Sequence, residues 1–173
     1  MADAMKVLLE RRSVRSYNDK KVDPAIVDQI LEAGLYAPSA MGRQGVVMVA
    51  VQNEEMVAKL SKMNAAVMNS QNDPFYGAKS LIIVLSDVDV ALYPAVDGAL
   101  AMGNLLNAAY ANGLGSCWIN RAKEMFETDE GKALLKEWGL TGRYEGVGIC
   151  ILGYTDADPA AVPRKEGRIF KVN

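Results

Sequence analysis

The stretch 94–112, Pro-Ala-Val-Asp-Gly-Ala-Leu-Ala-Met-Gly-Asn-Leu-Leu-Asn-Ala-Ala-Tyr-Ala-Asn, restricts the possible folds more than any other part of the chain. It reads as one long helix that is apolar on almost every face. Such a helix has to be covered all round, either in the core of a domain or against a second subunit. In a chain of 173 residues we expect both. The small residues Ala95, Gly98, Ala99, Gly103 and Ala109 allow another helix to come close. Asp97, Gly98, Gly103, Asn104 and Asn107 interrupt the run, which makes it too polar and too short for a membrane span.

The rest of the chain supplies the layers that could cover it. Ala4, Met5, Val7 and Leu8 recur at helical spacing and lead to Arg11 and Arg12 at the end of a first helix. Asp23-Pro24 is a helix start, with Asp as N-cap and Pro at the first helical position. Ile26, Val27, Ile30, Leu31 and Leu35 form its apolar stripe, and it should stop near Pro38 because the residue before a proline leaves the α region. Residues 37–45 form a loop rich in small and hydrogen-bonding side chains. The β-branched run 46–51 then predicts a buried strand. Asn53-Glu54-Glu55 opens another helix, with Met56, Val57, Leu60 and Met63 on one side, and residues 81–85 form a second strongly apolar strand. Residues 113–116 terminate the long helix, Cys117-Trp118-Ile119 can form a short strand, residues 126–138 are amphipathic, and residues 146–153 hold the last strand. Strands alternating with helices predict a two- or three-layer arrangement. No linker divides the chain, so one domain over 1–173 is expected.

Composition removes several functions. The 19 basic and 21 acidic residues leave a formal charge of −2, so no global field recruits nucleic acid or a membrane surface. Histidine is absent, which excludes Ser-His and Cys-His nucleophiles and histidine-ligated metals. Cys117 and Cys150 lie in apolar runs without metal-ligand spacing and read as buried free thiols, which suits a reducing cytoplasm. The opening Met-Ala-Asp-Ala-Met-Lys lacks a basic segment followed by an apolar core, so no signal peptide is expected. Carboxylates are scattered, with nothing to support a two-carboxylate hydrolase. No Walker loop is present. Gly113-Leu114-Gly115-Ser116-Cys117-Trp118 begins like a dinucleotide fingerprint but has Trp where the third Gly belongs and follows a helix where a strand is needed.

One cluster stands out chemically. Arg11-Arg12-Ser13-Val14-Arg15-Ser16-Tyr17 packs three guanidinium groups and two Ser hydroxyls into seven residues. Guanidinium grips phosphate oxygens bidentately, and hydroxyls can take the remaining lone pairs. The same residues also suit a plain helix end, where cations satisfy free carbonyls and complement the macrodipole. Taken alone, the stretch leaves both readings open.

Several stretches in order resemble the nitroreductase family of FMN-dependent oxidoreductases, in particular its short members. Arg11-Arg12-Ser13-Val14-Arg15 is similar to the family's opening phosphate motif, and Ala37-Pro38-Ser39-Ala40 with Gln44 to its second signature loop. Pro74-Phe75-Tyr76-Gly77-Ala78, Asp97-Gly98, Asn104-Leu105-Leu106-Asn107-Ala108-Ala109 and Gly113-Leu114-Gly115-Ser116-Cys117-Trp118-Ile119 are similar to its central segments. Gly153-Tyr154 with Pro163-Arg164-Lys165 is similar to its close. The resemblance implies an α+β sandwich with a central mixed, mostly antiparallel sheet flanked by helices, assembled as a homodimer with FMN at the interface.

It also implies roles. Arg11, Ser13 and Arg15 would contact the FMN phosphate and ribityl chain or the pyrimidine edge, with Arg12 lending its backbone or also its charge. Arg164 and Lys165 would help neutralise a phosphate that carries roughly −1.5 to −2 at neutral pH. Pro38, Ser39, Ala40 and Gln44 would come from the partner subunit and close over the flavin. Asn72, or a neighbour within 69–72, would face the pyrimidine ring. Gly115, Ser116 and Cys117 would present backbone N–H groups near flavin N5 and O4, where charge develops on reduction. Cys117 has no nucleophilic role, since no base lies nearby in sequence. The implied reaction is ping-pong: NADH or NADPH passes hydride to flavin N5, then leaves, and a nitro compound, quinone or similar small-molecule acceptor takes its place. A flavin-binding carrier or sensor of the same fold, without nicotinamide turnover, is the alternative. Gly42, Gly45-Val46 and Ala78-Lys79 depart from the family pattern, and Gly42 and Gly45 leave the partner-side wall of the pocket, and with it substrate size, open.

Overall fold

The computed structural model describes residues 3–172. Met1, Ala2 and Asn173 belong to the N-terminal and 1–173 domain readings above and lie outside the described residues. Four strands, β1 (Val46–Val51), β2 (Ser80–Asp87), β3 (Gly115–Ile119) and β4 (Tyr144–Gly153), form a sheet in the order β1-β2-β4-β3. All three pairings are antiparallel, and a single parallel bridge joins Ser13 to Ser116.

Alternation along the strands sends side chains to two cores. Ile82, Val84, Cys150 and Leu152 face α2 (Pro24–Leu35) and α4 (Pro94–Ala111), where they meet Val27, Ile30, Met102 and Leu105. Leu81, Ile83, Leu85, Ile149 and Ile151 face α3 (Glu54–Val67), α5 (Ala122–Glu127) and α6 (Asp129–Glu137) on the other side. A short α1 (Ala4–Glu10) precedes this three-layer body. Cys117 and Cys150 belong to opposite cores, so the sheet itself separates the two free thiols. Burial pushes the Cys150 thiol up to about 12.

Local chemistry sets the helix starts. The side chain of Asp23 accepts from Ala25 N with Pro24 behind it, and that of Asn53 accepts from Met56 N. The amphipathic segment expected over 126–138 is divided in two. Thr128 Oγ1 donates to Met125 O at 2.7 Å and accepts from Gly131 N at 3.0 Å, so one side chain closes α5 and caps α6. The strand expected to be buried, β1, is a half-buried sheet edge, because burial of a strand depends on its neighbours as well as its apolar content. Leu35 lies off the buried stripe of α2 and is exposed.

The long helix α4 is covered on one side. Ala101, Met102, Leu105, Leu106 and Ala109 are buried, and Gly98 sits so close to Val147 that a Cβ there would lie 2.5 Å from Val147 Cγ2. Val96 and Leu100 on the same helix are 59% and 45% exposed. Exposed apolar side chains continue from the end of α2 onward, at Leu35, Tyr36 and Met41. That segment is tied to α4 by hydrogen bonds from Asn104 Nδ2 to Ala33 O and from Ala40 N to Asp97 Oδ1.

Candidate functional site

The arginine-rich stretch begins where α1 ends. Arg11 N donates to Val7 O at 3.1 Å, and Arg12 Nη1 donates to Leu9 O and Arg11 O, both at 2.8 Å. Arg12 therefore behaves as a helix-end cation that satisfies free carbonyls. The chain then runs along the outer edge of β3, where Val14 N donates to Ser116 O at 2.9 Å. Tyr17 closes the segment by donating from its hydroxyl to Val14 O, and its ring packs into the α3-side core. Burial raises the Tyr17 phenol above its ordinary range, so it stays protonated.

Arg11 is the exception among these cations. Its Nη1 is buried and has no hydrogen-bond partner. A guanidinium nitrogen withdrawn from water without an acceptor is costly, which marks a place where an anion would be stabilised. Arg11, Arg12, Ser13, Arg15 and Arg164 line one cavity of about 710 Å³, whose far wall is the tail at 159–164. Arg164 donates to Val162 O, which folds its side chain back onto the tail. Lys165 is exposed and does not line the cavity.

Arg15 also reaches a second cavity of about 320 Å³, shared with Asn72, Tyr76, Trp118, Asn120 and Arg121. Its floor is the loop before β2. There Asp73 accepts from Ser61 Oγ, Phe75 N and Gly77 N at 2.6, 2.9 and 2.7 Å. Partial burial opposes ionisation of Asp73, yet these three donors hold its carboxyl below the usual range.

Gly115, Ser116 and Cys117 are the first residues of β3, where a helix-terminating loop was expected for the first two. Ser116 and Cys117 are 1% and 2% exposed, and Gly115 packs against Val14 and Thr155 with no room for a Cβ. They are joined to the arginine stretch through the Ser13 bridge. Pro38, Ser39, Ala40 and Gln44 lie elsewhere. Ala40 N donates to Asp97 Oδ1 at 3.1 Å in the first turn of α4, whereas Glu10, next to Arg11, accepts from Tyr110 at the last turn. The 18 residues of α4 span about 27 Å, so one chain holds these two groups roughly a helix length apart.

Residues 8–154 match the model of the Nitroreductase family. The chain belongs to that family. An Archaeoglobus fulgidus protein, named as a candidate NADH dehydrogenase/NAD(P)H nitroreductase, is 31% identical over 161 residues, covering 89% of this chain and 86% of the relative. The FMN reductase (NAD(P)H) of Bacillus subtilis is 32% identical over 139 residues, covering 71% of this chain and 56% of the relative. Among solved structures, a Bacteroides fragilis nitroreductase with bound FMN superposes with a TM-score of 0.89 at 28% identity, covering all of both chains.

Within this nitroreductase-family chain, the loop at 39–44 is held in an unusual conformation. Met41, Gly42 and Gln44 have φ values of 54°, 64° and 53°, and Gln44 N donates to Ser39 Oγ. Ser39 and Asp97 thus pin a strained loop from two sides. Asp97 is 3% exposed, and its Oδ2 has no partner. Gly45 packs on Ala91, where a Cβ would lie 2.8 Å from the Ala91 nitrogen, so this departure from the family pattern has a packing reason.

Sequence reasoning did not single out Tyr76, Trp118, Asn120 or Arg121. Tyr76 and Trp118 lie in segments that resemble the family but carry no site role there, and nothing local marks Asn120 or Arg121; all four share a cavity with Arg15 through the course of the chain around β3 and the loop before β2. Among the described residues, no helix is long and apolar enough to cross a membrane, and no group of three or more potential ligands could hold a metal.

Proposed function

We propose that this chain is an FMN-dependent oxidoreductase that passes hydride from NADH or NADPH to a nitro compound, quinone or similar small acceptor in ping-pong order. It works as a cytoplasmic homodimer of single nitroreductase-like domains, with FMN at the interface. The observation that carries the reading is the unpartnered, buried Nη1 of Arg11, a residue that lines a cavity together with Arg12, Ser13, Arg15 and Arg164. Those donors fit a phosphate monoester, which needs more than one cation to balance it. Membership of the Nitroreductase family and the FMN named for the Bacteroides fragilis structure support the same assignment.

FMN, when bound, supplies the hydride chemistry that no side chain of this histidine-free protein can. The protein's part is to bind and orient. Arg11, Ser13 and Arg15 hold the phosphate end, with Arg164 and Lys165 adding charge from the tail. Asn72 and the Arg15 side of the smaller cavity receive the ring end. The part proposed for the Gly115-Ser116-Cys117 backbone, which joins the arginine stretch through the Ser13 bridge but lines neither cavity, is to present N–H donors where negative charge develops. No side-chain general acid is required, since the proton can come from water.

The purified protein is expected to be yellow, to bleach with NADPH or NADH, and to regain colour with a nitroaromatic or quinone. Initial rates against both substrates should give parallel double-reciprocal lines. A yellow protein that neither nicotinamide bleaches would reduce the proposal to a flavin carrier or sensor, and a colourless one that FMN cannot reconstitute would end it.

Two features support the dimer. Val96 and Leu100 leave α4 apolar toward solvent, and Pro38, Ser39, Ala40 and Gln44 are a helix length from the arginines of their own chain. A two-fold axis brings the loop of one copy over the cofactor of the other. Light scattering at micromolar concentration should give a dimer, and Leu100→Glu should shift it toward monomer with loss of flavin. Monomeric wild-type protein with FMN bound would sink this arrangement.

A further inference from the structure

We infer that Arg121 is the receptor for an oxyanion carried by the substrate, a carboxylate or phosphate, beside the flavin. The inference rests on the function proposed above and adds a preference within it. Arg121 stands at the turn from β3 into α5 with a φ of 76°, in the left-handed region that is unfavourable for a non-glycine residue. Strain of that kind persists where surrounding structure over-determines it. Here the restraint is Asn64, a fully buried amide whose Nδ2 donates to Asn120 O at 2.8 Å and whose Oδ1 faces Arg121 Nη1 at 3.4 Å. A neutral amide therefore orients the guanidinium without neutralising it.

The charge balance of the cavity points the same way. Arg15 and Arg121 both line it, and among the described residues neither forms an ion pair. The one carboxylate on its wall, Asp73, is committed to Ser61, Phe75 N and Gly77 N within its own loop. Once Arg15 serves the cofactor, Arg121 remains as a cation without a counter-ion in the lining of a small cavity that Tyr76 and Trp118 also line. Guanidinium is suited to a planar or tetrahedral oxyanion by its fork of parallel donors. Two sources share that chemistry: an acceptor bearing a carboxylate, and a nicotinamide donor bearing the additional phosphate of NADPH.

Isothermal titration calorimetry on the purified, oxidised protein separates the sources without turnover. The probes are 4-nitrobenzoate against 4-nitrobenzamide, and NADP+ against NAD+. Wild-type protein should bind one of the anionic members at least tenfold more tightly than its neutral or less charged counterpart. Arg121→Gln should abolish that preference while changing binding of the counterpart less than twofold, and Arg121→Lys should restore most of it. Loss confined to the nitrobenzoate pair assigns the oxyanion to the acceptor, and loss confined to the NADP+ pair assigns it to the donor. Unchanged preference in Arg121→Gln overturns the inference, as does loss of flavin from that variant, which would make Arg121 part of the cofactor's own hold. Flavin content and bleaching of the wild-type protein report on the oxidoreductase function separately.

Discussion

Arg11→Ala is expected to weaken FMN binding by about 10- to 100-fold, on the basis that a hydrogen bond to a charged group contributes about 1.5–3 kcal/mol. The size follows from where the guanidinium lies. Arg12 spends its Nη1 on the carbonyls of Leu9 and Arg11, and Arg164 is drawn to Val162 O, so both have protein acceptors already. Arg11 Nη1 has none, and it is shielded from the water that would otherwise compete for it. Arg15→Ala should also release flavin, because Arg15 borders both cavities, whereas Lys165→Ala should cost less. The measurement is flavin retained through ultrafiltration at rising salt, with fluorescence of free FMN giving the dissociation constant. Flavin content in Arg11→Ala equal to wild type would return the whole stretch to a solvated helix end.

The comparison of these arginines shows how far the sequence could be read. The stretch 11–17 was visible as an anion site or a helix end, and the structure divides it: Arg12 is the helix end, while Arg11 is left without a partner. Features governed by neighbours in sequence were legible, such as Asp23-Pro24 at the start of α2 and Asn53 at the start of α3. Features governed by distant pairing were not. Val46–Val51 carries the composition of a central strand, yet it ends the sheet because only β2 pairs with it. Gly115 and Ser116 look like a helix stop, and pairing with Gly153 and Leu152 draws them into β3. Arg121 has a partner 57 positions away, Asn64, and shares a cavity lining with Arg15, and neither relation is visible from its sequence neighbours. The apolar character of α4 foretold that it needed covering. The exposed Val96 and Leu100 show which part its own chain leaves uncovered.

Gly146→Ala is expected to destabilise the fold by about 3 kcal/mol, at the upper end of what overpacking typically costs. Gly146 lies in β4 at an irregularity, where Val84 pairs with Gly148 but Leu85 pairs with Gly146, so Val147 is an extra residue between them. This β-bulge directs Val147 toward Gly98 of α4 and leaves Gly146 directly beneath the start of α5. A Cβ on Gly146 would lie 2.3 Å from Ala122 C, 2.4 Å from Ala122 O and 2.6 Å from Lys123 N. These are main-chain atoms, so no rotamer change can relieve the collision, and α5 has to lift from the sheet. For a protein of this size 1 kcal/mol corresponds to about 2–4 °C, so the melting temperature should fall by about 6–12 °C. Gly142→Ala serves as the control. Gly142 is itself exposed and its nearest neighbours are atoms at the far end of the Tyr144 side chain at 3.3 Å, and a surface change of that kind should stay within about 0.5 kcal/mol. The displacement has a functional consequence as well. Residues 120 and 121 lead directly into α5, so lifting the helix moves Arg121 away from Arg15. Gly146→Ala that still folds should therefore keep the phosphate hold proposed for the Arg11 cavity while losing the anion preference proposed for Arg121. An unchanged melting temperature would show that β4 and α5 are not packed backbone to backbone, and an unchanged preference in a destabilised variant would show that the position of Arg121 does not depend on that contact.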